Sequence, residues 1–180
     1  MGLYETRPSP IEGNGCFATV SIPAGTIVER FVGEEVTLAD LHRIEAEGRY
    51  HSSLAIGEGC HLLLAVIDPR ESAVDLEVGS GVGGFNHSCD SNLWMQDEVT
   101  VIARREIAVG EELTLDEALI SDDPEFTMAC RCGARVCRGT VTGADWRLPA
   151  VQQRYAGHFS PFLNQRVAAL RAEGATGGRR

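Results

Sequence analysis

Asn86-His87-Ser88-Cys89-Asp90-Ser91-Asn92 is the stretch on which the reading of this chain turns. It is reached through Gly79-Ser80-Gly81-Val82-Gly83-Gly84, a run too flexible for a regular element and suited to a loop that brings backbone close to a ligand. The four small polar or ligand-forming residues that open the stretch suggest a loop whose backbone and amide side chain hold that ligand. His87 and Ser88 invite comparison with a base and its nucleophile, yet no acid is placed to complete a triad, so serine-hydrolase chemistry is set aside.

Cys89 leads outward to a second cluster. Cys130-Arg131-Cys132-Gly133-Ala134-Arg135-Val136-Cys137 places three thiols within eight residues of low apolar content, a segment that needs a staple. A tetrahedral zinc ion would supply one, and it requires a fourth ligand from elsewhere. Cys16, Cys60, Cys89 and the histidines are the candidates. Cys89 is favoured because it lies in a polar loop, whereas Cys16 and Cys60 sit in apolar strands and read as small core residues.

Around these clusters the pattern is of short strands. Residues 16–20, 26–32, 54–56, 61–67, 93–96, 98–103 and 112–116 are rich in β-branched and aromatic residues and separated by Gly-containing turns. Thr37 reads as the N-cap of a short helix with Leu38, Leu41 and Ile44 on one face and Gly48 as its stop. Ser160-Pro161 opens a closing helix carrying Phe162, Val167 and Leu170, and residues from Gly174 read as a frayed tail. The chain is therefore mainly β, in several small sheets or a partial barrel.

Composition sets further bounds. The 180 residues suffice for one domain with an appendage. A formal net charge of −10, from 26 acids and 16 bases, argues against direct nucleic-acid or anionic-membrane binding. All the bases are Arg and none is Lys, which codon bias explains. The start Met1 to Arg7 shows no basic region followed by an apolar one, so a cytoplasmic location is expected, with its thiols reduced or bound to metal.

Taken in order, Gly13-x-Gly15-Cys16-Phe17-Ala18, Ile22-Pro23-Ala24-Gly25, the Asn86–Asn92 stretch, Gly110-Glu111-Glu112-Leu113-Thr114-Leu115-Asp116 and the Cys130/Cys132/Cys137 cluster resemble the SET-domain family with its post-SET zinc segment. The resemblance implies a SET fold of small β-sheets around a pseudoknot, with a SET domain over 1–120, a post-SET zinc segment over 121–143, a helical extension of the bacterial kind over 144–172 and a disordered tail over 173–180. It implies an S-adenosylmethionine-dependent protein lysine methyltransferase acting on a basic protein or peptide. Gly13, Asn14, Gly15, Asn86 and His87 would then hold the cofactor, Trp146 would cover it, and Cys89, Cys130, Cys132 and Cys137 would bind Zn2+.

Two departures stand out. The family's last strand motif ends in Asp-Tyr, with the tyrosine hydroxyl facing the acceptor amine, and here the pair is Asp116-Glu117. A charged carboxylate there would stabilise the ammonium and oppose transfer, so Glu117 serves as a base only if burial raises its pKa. Gly83-Gly84-Phe85 also replaces the Arg-Phe-Ile run common in relatives. Tyr50 is the tyrosine expected to reach the site from an earlier segment. The alternative to a lysine methyltransferase is a divergent SET-fold protein acting on a small molecule or serving as a binding module.

Overall fold

The computed structural model describes residues 2–70 and 84–177; the Gly-rich run over 79–83 lies outside the described residues. Among the described residues twelve strands, three α-helices and two 3-10 turns follow in the order β1 (Tyr4–Pro8), β2 (Asn14–Ala18), β3 (Ile27–Arg30), β4 (Glu34–Thr37), α1 (Leu38–Ala46), β5 (Tyr50–Gly57), β6 (Cys60–Ile67), β7 (Asn86–His87), β8 (Leu93–Met95), β9 (Thr100–Ala103), β10 (Glu112–Leu115), β11 (Thr127–Ala129), β12 (Thr140–Thr142), α2 (Pro149–Arg154) and α3 (Pro161–Gly177). They form four small sheets, ordered β1-β2-β10-β7, β3-β9-β8, β4-β6-β5 and β11-β12.

The expectation of small sheets holds, and the pairings place the site. β10 lies antiparallel to β2 and parallel to β7, with Thr114 opposite Asn86 and Leu115 opposite His87. The chain therefore leaves β10 into Asp116 and Glu117 immediately beside the Asn-His loop. Ala108 to Glu111 forms the expected turn around Gly110, whose φ of +79° favours glycine, but it carries the chain from one sheet to another.

Helix α1 forms as its sequence dictates. Thr37 and Asp40 cap each other reciprocally, Leu41 and Ile44 are buried, and Gly48 stops the helix at φ +75°. It rests beside the β4-β6-β5 sheet as an insert over the rest of the fold.

Residues 144–172 are not a separate layer. Trp146, Val151, Tyr155, Phe159, Leu163 and Val167 share one core with Cys16, Ile22, Leu93, Val101 and Leu113 from the sheets. Residues 174–177, expected in a frayed tail, continue α3 to Gly177, and the rest of that tail lies outside the described residues. Ser160 caps that helix through its Oγ, which accepts the Leu163 N–H at 3.4 Å.

Candidate functional site

Asn86 stands where three segments meet. Its amide nitrogen donates to the carbonyls of Glu12 and Asn14 at 3.0 and 3.2 Å and to Glu112 Oε1 at 2.8 Å. Glu112 also accepts from Ser9 Oγ at 2.8 and 2.9 Å, so one carboxylate ties β1, the Gly13-Asn14-Gly15 turn and β7 together. A Cβ on Gly15 would fall 2.1 Å from Glu112 Oε1, so any larger residue there would displace the carboxylate that holds Asn86. Gly13 adopts φ +47°, and among the described residues no atom lies within 4 Å of where its Cβ would stand. The turn thus presents open backbone beside Asn86, which brings Gly13, Asn14, Gly15 and Asn86 together, with His87 next in β7.

His87 joins the loop to two other centres. Its Nδ1 accepts the Glu117 backbone N–H at 3.2 Å, which leaves Nε2 to donate to Cys89 Sγ at 3.3 Å. Burial pulls its pKa down, so the ring is neutral in this role.

The thiols of Cys89, Cys130, Cys132 and Cys137 converge, all within 4.8 Å of one another. Cys89 and Cys130 sulfurs stand 3.7 Å apart, close to the ~3.8 Å edge of a tetrahedron with Zn–S bonds of about 2.3 Å. The backbone N–H groups of Arg138 and Gly139 point at Cys89 and Cys137 sulfur at 3.3 and 3.4 Å, donors that favour thiolate. The donor set fits zinc. Helix α2 supports it, since Arg154 donates to the Cys89 carbonyl at 2.7 Å and the buried Tyr155 hydroxyl lies 3.3 Å from the same oxygen.

Glu117 opens onto a cleft of about 280 Å3 between α1, β5, β6 and the segment after β10, with Phe31, Leu54, Phe85 and Leu115 among its apolar walls. Burial pushes the Glu117 carboxyl up to about 7, the neighbouring Asp116 adds to the rise, and Arg138 opposes it. Arg138 is committed to Asp116, donating to both of its carboxylate oxygens at 2.8 and 2.6 Å. One carboxylate of the pair is neutralised by a guanidinium, and the other takes up a proton near neutral pH.

The SET domain family model matches residues 13–116. The chain is 32% identical over 146 residues to histone-lysine N-methyltransferase TRX1 of Oryza sativa subsp. japonica, covering 76% of this chain and 13% of that protein. It is 31% identical over 176 residues to histone-lysine N-methyltransferase ash1 of Drosophila melanogaster, covering 90% of this chain and 7% of that protein. The chain belongs to the SET-domain family. It spans only a small part of the length of these curated relatives. In fold the SET domain resembles the crystal structure of the methyltransferase domain of human histone-lysine N-methyltransferase SETMAR, at a TM-score of 0.54 and 20% identity, covering 76% of this chain and 56% of that one. It also resembles KRYPTONITE in complex with mCHG DNA and SAH, at a TM-score of 0.52 and 24% identity, covering 76% of this chain and 28% of that one.

Tyr50 and Trp146 are not among the residues that line the cleft. Tyr50, expected to reach the site, is 64% exposed at the start of β5 and is not among the residues lining the cleft, whereas His51 is. Strand alternation explains the swap, because successive side chains face opposite sides. Trp146, expected over the cofactor, is 3% exposed and held between Arg147 and Arg166, whose guanidinium carbons lie 4.6 and 4.8 Å from its ring. Since Arg166 belongs to α3, Trp146 anchors that helix to the core. Glu112 and Arg138, the two groups that organise the site, gave no signal in the sequence beyond being charged residues beside recognised motifs.

Proposed function

We propose that this SET domain is an S-adenosylmethionine-dependent protein lysine N-methyltransferase in which Glu117 takes the place of the family tyrosine. The observation that carries the reading is the placement of Glu117 at the cleft, beside the Asn86-His87 loop, with its carboxyl pushed up to about 7. The bound cofactor would supply an electrophilic methyl group on a sulfonium. Asn86, His87 and the open backbone of the Gly13 turn would hold it, and the four cysteines would hold zinc as a structural clip.

The residues of the chain then solve the proton problem. An amine accepts a methyl group only after losing the proton it carries at neutral pH. In an apolar cleft the ammonium–carboxylate pair is penalised by desolvation on both sides, and a carboxyl already pushed up to about 7 is a ready acceptor. Transfer of that proton to Glu117 leaves a neutral acid beside a neutral amine, the arrangement that low polarity favours. A net charge of −10 suits a basic protein segment, as the names of the relatives suggest.

Incubating the protein with labelled S-adenosylmethionine and lysine-rich protein or peptide tests the proposal, with calorimetry confirming that the cofactor binds. Labelled lysine, at a kcat/KM that rises with pH through about 7, is the expected result. Cofactor binding without transfer to any lysine substrate, or a gain of transfer in Glu117→Tyr from an inactive parent, would overturn it.

A further inference from the structure

A second donor cluster lies apart from the four cysteines. His42 and Glu45 are one turn apart on α1 and so share a face. Opposite them, on the segment between Glu117 and β11, stands Asp123, and one ligand atom from each of the three lies within 4.8 Å of the other two. His42 Nε2 is 3.1 Å from Asp123 Oδ2, and His51 Nε2 on β5 is 3.3 Å from Glu45 Oε1. The His42–Asp123 spacing matches the edge between nitrogen and oxygen donors around one small cation, about 3.3 Å for bonds of 2.0–2.1 Å, and His51 holds Glu45 from the other side.

Two further observations separate this cluster from a chance gathering of surface charges. Asp123 is buried and pre-set: its Oδ1 accepts the Glu125 N–H at 2.8 Å, which leaves Oδ2 turned to His42. Its backbone is pinned by Gly143, where a Cβ would fall 1.8 Å from the Asp123 carbonyl oxygen. Unpartnered buried nitrogens also face the same cleft. His51 Nδ1 and His61 Nε2 are shielded and make no hydrogen bond, and His61, which is 3% exposed, has only the Asp122 carboxylate near that nitrogen, at 3.9 Å. Buried imidazole nitrogens without partners are costly unless something else satisfies them.

We propose that His42, Glu45 and Asp123 bind a divalent first-row transition cation of the zinc type at the rim of the cleft, with water completing its shell. One imidazole and two carboxylates form a donor set suited to such ions and different in kind from the four-thiolate clip. Bound metal would clamp α1 to the segment that follows Glu117 and so fix the width of the cleft. This inference rests on the donor geometry and is independent of the proposed methyl transfer.

The test counts metal. The whole chain, dialysed against zinc buffered at micromolar free concentration, is expected to retain two zinc ions per molecule by elemental analysis. His42→Gln and Glu45→Gln, both on the accessible side of α1, should each retain one with an unchanged circular dichroism spectrum, and Cys132→Ser should lose the other. Zinc added beyond the first equivalent should raise the melting temperature of the parent and not of His42→Gln. With cobalt, the parent should show intense sulfur-to-metal absorption from one site and only weak visible bands from the second, the weak bands vanishing in His42→Gln. One zinc per parent chain, or two that persist in both α1 variants, would overturn the proposal and leave His42–Asp123 as a plain ion pair.

Discussion

Replacing Arg138 by Met is the most informative perturbation of this fold. Arg138 side chain is 11% exposed, and it meets the fully buried Asp116 through two hydrogen bonds of 2.8 and 2.6 Å. Its Nε also lies 2.7 Å from Asp145 Oδ2, an ion contact whose N–H is out of line for a hydrogen bond. Methionine fills much of the stem's volume but leaves both carboxylates buried without their cation. Breaking a buried pair on one side costs about 3–5 kcal/mol, a large share of an ordinary stability of ~5–15 kcal/mol. Urea unfolding at pH 7.5 with zinc present should show that loss. Asp116→Asn keeps the side-chain acceptor for the Ala118 N–H while removing the charge. The double variant Asp116→Asn/Arg138→Met should therefore recover at least ~1 kcal/mol relative to Arg138→Met alone. A loss under ~1 kcal/mol in the single variant, or no recovery in the double, would refute the assignment of Arg138 as the buried partner that Asp116 requires.

Glu117 makes a pH prediction of definite sign. Its folded pKa of about 7 lies above the ordinary carboxyl value, so its contribution is fully present at low pH and is lost as pH rises through about 7. Glu117→Gln should gain stability over the parent at pH 8, by on the order of 2–3 kcal/mol, and little at pH 4.5, as read from paired urea melts. Cys132→Ser should release the β11-β12 segment, seen as faster amide exchange over 127–142 and a lower melting temperature even with zinc in excess. Gly143→Ala would drive a methyl group to 1.8 Å from a backbone oxygen, so a loss of at least ~2 kcal/mol in thermal unfolding is expected.

What could be read from the sequence follows the range of the interactions. Thr37, Asp40 and Gly48 fixed the ends of α1 because capping is local, acting within one turn of chain. The cysteine spacing and the polarity around Cys89 found a ligand set that spans 49 residues, because thiols in a low-apolar segment have few other uses. Strands β1, β4, β11 and β12 were not legible. β1 carries Glu5, Thr6 and Arg7 and is largely exposed, so its strand character comes from pairing with β2 rather than from its own pattern. The position of Tyr50 failed for a similar reason: one step along a strand decides which face a side chain takes, and β5 carries a register shift between Ser52 and Ser53.

The proposal that Glu117 takes the place of the family tyrosine becomes intelligible once Arg138 is in view. Asp116 and Glu117 are adjacent acids in a buried corner with a single guanidinium in hydrogen-bonding contact with Asp116. Two ionised carboxylates there would repel each other, and with the guanidinium gripping Asp116, Glu117 takes up a proton more readily than an ordinary carboxyl. A protonated carboxyl offers an O–H donor and a carbonyl acceptor, which is the hydrogen-bonding repertoire of a tyrosine hydroxyl with a shorter reach. Above pH 7 the same group becomes a base that tyrosine, with its ordinary pKa near 10, does not provide. On this argument Arg138 is the condition for Glu117. With Arg138 removed, its lowering effect on the Glu117 pKa is lost, and the pH at which Glu117 gives up its proton would move upward.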